Sequence, residues 1–179
     1  MTSTAPTSLV LTLLGADRPG LVERLSQVLS AHEGNWVESR MAHLAGQFAG
    51  ILRVDMPAAQ VERFAKACAD MAQEGLNISI AESAVPPTTV ERRVLRLELV
   101  GQDRPGIVRD ISHALAKSGI NVEELVTGVE SAPMSAETLF HAKARLAVPL
   151  ELSTERLRRI LEPIGNDLMV DIALLPSKP

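Results

Sequence analysis

Three features of this 179-residue sequence predict an α+β chain of two like units, each ordered strand, helix, strand, strand, helix, strand. The stretch Leu14-Gly-Ala-Asp-Arg-Pro-Gly-Leu-Val22 returns 86 positions later as Val100-Gly-Gln-Asp-Arg-Pro-Gly-Ile-Val108. At the same offset Leu25, Ser26, Leu29, Asn35 and Glu38 meet Ile111, Ser112, Leu115, Asn121 and Glu124, so the likeness extends well past the motif. Each motif also stands where the hydrophobic period changes, from strand-like before it to helical after it. A period of this size marks a repeated structural unit.

The elements follow in order. Leu9 to Leu14 is an apolar run of strand length, and Val94 to Val100 alternates apolar with charged residues, so one face of that strand is wet. Leu21, Val22, Leu25, Val28 and Leu29 recur at helical spacing, as do Ile107, Val108, Ile111, Ala114 and Leu115. Asp17 and Asp103 stand as N-caps, Pro19 and Pro105 suit a first turn, and Gly34 and Gly119 lie near the stops. Strands over 36–44 and 47–56 join at Ala45-Gly46, with 121–129 and 138–148 as counterparts, and Pro57 and Pro149 close them. A second helix carries Val61, Phe64, Ala65, Cys68, Met71 and Ala72. Its partner carries Leu157, Ile160, Leu161 and Ile164, with Pro163 and Gly165 predicting an early stop. Final strands cover 77–84 and 168–175. This is the ferredoxin-like order, which implies two antiparallel four-stranded sheets with both helices on one face.

The domain boundaries read as a tail over 1–7, a first domain over 8–84, a linker over 85–92, a second domain over 93–175 and a tail over 176–179. Paired prolines in Val85-Pro-Pro-Thr-Thr-Val90 favour an extended connector. Phe48 to Pro57 matches Phe140 to Pro149 at an offset of 92 rather than 86, which places a six-residue insertion in the 130–137 stretch. Such sheets leave unpaired edges and a face without helices, so the two units are expected to pair, within one chain or in a homodimer.

Composition narrows the function. With 18 basic and 22 acidic residues and a net charge of -4, the chain has no broad cationic surface for nucleic acid. Aromatic residues make up 2% and tyrosine is absent, which removes the base-stacking platform that RNA-binding members of this architecture use. The single cysteine, Cys68, excludes an internal disulfide and fits a reducing, cytoplasmic compartment, and on the apolar helix face it reads as a buried structural thiol. No signal peptide or membrane anchor is expected. His32, His43, His113 and His141 lack metal-ligand spacing and read as surface or sheet-edge residues, and the cluster Arg156 to Arg159 as a solvated face. No nucleophile-and-base pattern or phosphate loop is present, so the chain reads as a non-enzyme without a cofactor.

The repeated loop has a chemistry of its own. A helix N-terminus offers unpaired N–H groups and about half a positive charge, which attract a carboxylate. Gly20 and Gly106 let a ligand approach the backbone, and Asp17 or Asp103 can meet an α-ammonium group, giving a two-point grip on an amino acid. Equally, the aspartates serve as caps and the glycines relieve crowding.

On the two Gly-x-Asp-Arg-Pro-Gly loops, with Asn35 and Glu38, the sequence resembles ACT domains, small modules that bind amino acids and regulate metabolic enzymes or transcription. The resemblance implies that ligand contacts come from Asp17, Arg18, Pro19, Gly20 and Asn35 in the first copy, and from Asp103, Arg104, Pro105, Gly106 and Asn121 in the second. The second copy's Gly119-Ile-Asn-Val122 lies closer to the ACT pattern. A lone tandem pair with a longer second hairpin is similar to the ACT regulators that repress glycine cleavage genes. That implies glycine as effector and a DNA-bound transcriptional activator as protein partner, without direct DNA contact. The alternative is a free-standing ACT regulator or an accessory subunit of another amino-acid enzyme.

Overall fold

Leu9, Leu11 and Leu13 alternate with Val10, Thr12 and Leu14, and this alternation sets the first strand, β1 (Thr7–Ala16), with the leucines at odd positions buried. The computed structural model describes residues 6–83, 91–131 and 138–176. After β1 come α1 (Leu21–Ala31), β2 (Asn35–Leu44), β3 (Gln47–Met56), α2 (Val61–Asp70) and β4 (Leu76–Glu82). The second round is β5 (Arg92–Gln102), α3 (Ile107–Lys117), β6 (Asn121–Ser131), β7 (Thr138–Pro149), α4 (Thr154–Leu168) and β8 (Val170–Pro176). The chain divides into two units, Met1–Pro87 and Thr88–Pro179. The expected linker over 85–92 straddles that division. Its residues 85–90 lie outside the described residues, as do positions 132–137 of the expected insertion and most of both tails.

Both units form a four-stranded antiparallel sheet, ordered β2-β3-β1-β4 and β6-β7-β5-β8. These are tandem ferredoxin-like βαββαβ domains. Each has its own core: Leu11, Val54 and Phe64 are among the most buried residues of one, and Leu146, Leu157 and Leu161 of the other. The helices supply one stripe each, such as Leu21, Leu25, Val28 and Leu29 from α1. Only one side of each sheet enters these cores. β2 and β3 turn through Ala45 (φ 50) and Gly46 (φ 77), both left-handed, as a two-residue hairpin whose twist matches the strands requires. One extra residue, Val37 in β2 and Glu123 in β6, bulges at the same place in both copies.

Three sequence expectations are corrected. Helices α1 and α3 are not capped by Asp17 and Asp103: the N-cap residues are Gly20 (φ 90) and Gly106 (φ 103), with no side-chain cap. Pro19 and Pro105 accordingly precede the caps rather than filling a first turn. A left-handed turn at the glycine reverses the chain there, leaving the aspartates three residues upstream. Second, α4 runs through Pro163 and Gly165 to Leu168. Proline forfeits one N–H bond, but Leu161 and Leu168 on either side are buried and hold the helix in place. Gly165 is a contact rather than a stop, since a Cβ there would lie 3.0 Å from the Val170 carbonyl oxygen. Third, His141 is neither on the surface nor at a sheet edge: it lies half-buried on the interior strand β7, its Nδ1 buried without a hydrogen-bond partner. His32 stacks edge-on against Phe64 at 5.8 Å between ring centres.

The first glycine of each motif is a close-approach residue. A Cβ on Gly15 would sit 2.3 Å from the Gly75 carbonyl oxygen, and one on Gly101 would sit 2.6 Å from that of Met169. Gly75 (φ 84) and Met169 (φ 51) are themselves the left-handed residues that release the chain into β4 and β8. Gly15→Ala therefore forces the backbone apart and is expected to cost about 1–3 kcal/mol, read as a lower urea midpoint at unchanged m-value.

Cys68 is buried on α2, and burial pushes its thiol from near 9 up to about 12. The native thiol stays protonated where the unfolded one ionises. Its contribution to stability is thus complete below about pH 9 and is lost as pH rises toward 12. Native protein should resist a thiol-specific reagent at pH 8 and react fully in guanidinium; in urea titrations Cys68→Ala should show a shallower loss of stability above pH 9 than the parent chain.

Candidate functional site

The repeated loop makes the same bonds in both copies. The Asp17 N–H donates to the Gly46 carbonyl at 2.9 Å and the Asp103 N–H to that of Thr138 at 2.8 Å, each extending the strand ladder one step past β1 or β5. The guanidinium groups of Arg18 and Arg104 donate to the carbonyls of Glu74 and Asp167, at the ends of the segments that precede β4 and β8. A cation on carbonyls at a helix end is favoured by both hydrogen bonding and the helix dipole. Gly20 and Gly106 then start the helices, accepting at 2.9 Å from the N–H groups of Arg24 and Asp110. The motif therefore works as a joint, and the arginines predicted to touch ligand are occupied in bracing it.

Beyond that joint the copies differ. In the first unit a cavity of about 240 Å³ opens beside the helix start, lined by Arg18, Gly20, Leu21, Arg24, Met71 and Glu74, among others. Nothing lies within 4 Å of where a Gly20 Cβ would be. Arg24 grips Glu74 with two bonds of 3.0 and 3.2 Å. That bond, with the charges of Arg24 and Arg18, holds the Glu74 carboxyl below the usual carboxylate range and raises Arg24 in return. The Asp17 carboxylate is part-exposed, 3.7 Å from His43 Nε2. That nitrogen also accepts from the Gly46 N–H at 3.3 Å.

In the second unit Asp110 stands where the first has Arg24. Its carboxylate bonds Arg109 Nε at 2.7 Å, which, with the nearby charges of Arg109, His113 and Arg104, keeps its carboxyl low. Both side chains crowd the helix start: a Cβ on Gly106 would meet the Arg109 guanidinium at 3.2 Å and the Asp110 carboxylate at 3.6 Å. The exchange was legible in the aligned repeats as position 24 against 110, yet neither residue belongs to the motif and its meaning depends on partners far away in sequence.

Asn35 and Asn121 are not brought to the loops of their own units. Each opens its strand, opposite Asp55 or Ala147, whereas Asp17 and Asp103 follow the far ends of β1 and β5. A helical crossover returns the chain to the start of the sheet before the next parallel strand begins. Nine or ten strand residues, roughly 30 Å, thus separate aspartate from asparagine within a unit. Among the described residues no group of three or more His, Cys, Asp or Glu is placed to hold a metal, and no helix is long and apolar enough to cross a membrane.

Comparison with known proteins places this architecture. Residues 7–80 match the family model described as ACT domain. The chain is 40% identical over 55 residues to the UPF0237 protein MK1213 of Methanopyrus kandleri, spanning 61% of that relative's length and using 31% of its own. Among solved structures, an unknown protein from Galdieria sulphuraria is 31% identical, with a TM-score of 0.85 over 97% of this chain and 99% of that one. A putative glycine cleavage system transcriptional repressor shares the fold at 17% identity, with a TM-score of 0.72 and the same coverage. The first unit thus matches the ACT domain, and the second unit repeats its motif, strand order and loop bonds.

Proposed function

We propose that this chain is an amino-acid-responsive regulator without catalytic activity, and that the first copy's loop is its effector site. The observation that carries this reading is the uncapped start of α1, opened by a left-handed glycine with free space over it and an electropositive cavity beside it. A free amino acid suits that chemistry: its carboxylate would meet the first-turn N–H groups and Arg24, and its ammonium would reach past the cavity's lining to Asp17, which stands beside His43. The small cavity favours a small side chain, and glycine is the effector of choice.

The first copy takes precedence over the second, although Gly119-Ile-Asn-Val122 has the more family-like sequence. Arg109 and Asp110, bonded to each other, occupy the space over the second helix start and add a carboxylate there, whereas the first start is open. Within each unit Asn35 and Asn121 stand too far from the loop to share that ligand. The likeness in fold to a putative glycine cleavage repressor over nearly the whole chain supports a role in repressing glycine cleavage genes. The acidic balance supports action through a protein partner, a DNA-bound activator, rather than on DNA.

Calorimetry with glycine tests the site. Asp17→Asn removes the charge that would hold the ammonium group and should weaken binding roughly tenfold to a hundredfold, as expected for a charge-assisted contact of about 1.5–3 kcal/mol. Arg24→Asp, which copies the second unit, should do at least as much, while Asp103→Asn should change affinity by less than about twofold. Equal losses at Asp17 and Asp103 would assign the ligand to both copies. No heat with any amino acid would remove the effector reading.

A further inference from the structure

We propose that the helix-free face of the first unit's sheet is where two copies of this chain meet, sheet face on sheet face about a two-fold axis. The inference is independent of the effector reading, because it uses the opposite side of the sheet from the core and none of the loop residues. Along β1 the residues on this face are Val10, Thr12 and Leu14, and they pair in register with Arg53, Ile51 and Ala49 of β3. Ala49 in turn pairs with Ala42 of β2, and Leu14 with Asn77 of β4. Leu14 and Ile51 are each 51% exposed and Leu44, at the end of the same face, 78%. Charge on this face comes from Arg53 of β3 and from Arg40 and Glu38 of β2, which lie in register with Ile51 and Arg53 and pair with each other at 2.7 Å. β4 adds Asn77 and Ser79, so the apolar patch is the strip of Val10, Leu14, Ala42, Leu44, Ala49 and Ile51 between them.

The repeat supplies the control. At the positions of Val10, Thr12, Ala49 and Ile51 the second unit carries Arg96, Glu98, His141 and Lys143, on a sheet of the same order and register. A sheet of this order accepts charged or polar side chains at those four places, so the fold does not require Val10, Ala49 and Ile51 to be apolar in the first unit. An exposed apolar patch is a recognised mark of an interaction site.

Size and shape argue for a second copy as occupant. Four strands about 4.8 Å apart and seven or eight residues long present a face of roughly 20 by 25 Å, or on the order of 500 Å² per copy. Two such faces bury about 1,000 Å², the lower bound for a specific interface. Two-fold packing makes the same patch meet itself, and small Ala42 and Ala49 beside large Leu14 and Ile51 let the two faces interdigitate at the usual separation of about 10 Å.

The test is the solution mass of the full chain by sedimentation equilibrium. The expected result is twice the 19.2 kDa of one chain. Thr12→Lys with Ile51→Lys, two like charges in register on neighbouring strands, should weaken the dimer by roughly a hundredfold or more through burial of unpaired charge, with an unchanged circular dichroism spectrum. Glu98→Lys on the second sheet should leave the dimer intact. Should the double variant lose its fold, Ala49→His carries the same test. A monomeric parent chain, a dimer that survives the charged substitutions, or a dimer lost equally in Glu98→Lys would each overturn the proposal.

Discussion

The turn between first strand and first helix is the joint on which each unit depends. Within six residues the chain must finish a central strand, pass against the start of an edge strand, reverse direction and begin a helix. Every bond that achieves this reaches to a different part of the unit. Gly15 meets the Gly75 carbonyl, the Asp17 N–H meets the Gly46 carbonyl, and Arg18 meets the Glu74 carbonyl. The second copy repeats all three contacts with Met169, Thr138 and Asp167. Most of the Gly-x-Asp-Arg-Pro-Gly motif is therefore explained by architecture before any ligand is invoked.

That accounting changes where chemical specificity has to be sought. A motif engaged in holding the joint leaves the helix start exposed without deciding what binds there. The groups that differ between the copies stand just outside it: Arg24 with its two bonds to Glu74 in one, Arg109 with Asp110 in the other. Position 24 against 110 exchanges an arginine for an aspartate, each in an ion pair, so the two helix starts differ in which charged side chains stand beside them.

The same division of labour runs through the sheets. The buried faces of the two units are alike because both must close a core with two helices, and leucine, valine and phenylalanine fill them in register. The helix-free faces share no such constraint and have diverged at matched positions, Val10, Thr12 and Ile51 against Arg96, Glu98 and Lys143, and in the other sense Arg40 against Val126. Comparing the repeats thus separates what the fold demands from what each unit is free to present.

The sequence by itself determined the repeat, the βαββαβ order, both helical stripes and most strand limits to within two residues, because all of these rest on local periodicity and on matching one copy to the other. It also singled out Asp17, Gly20, Asp103 and Gly106, since motif spacing is a local signal. It misassigned the caps because a left-handed glycine and an aspartate three residues upstream both announce a helix start, and only the backbone turn decides between them. It ended α4 early because local propensity counts Pro163 and Gly165 as breakers, whereas buried Leu161 and Leu168 outweigh them. Only the tertiary structure separated Asp17 from Asn35, since the direction in which a strand returns is a property of the sheet rather than of either residue. Only it joined Arg18 to the Glu74 carbonyl and Arg24 to the Glu74 side chain, contacts 56 and 50 residues apart, because a long-range contact is set by how elements pack and leaves no periodic trace in the chain.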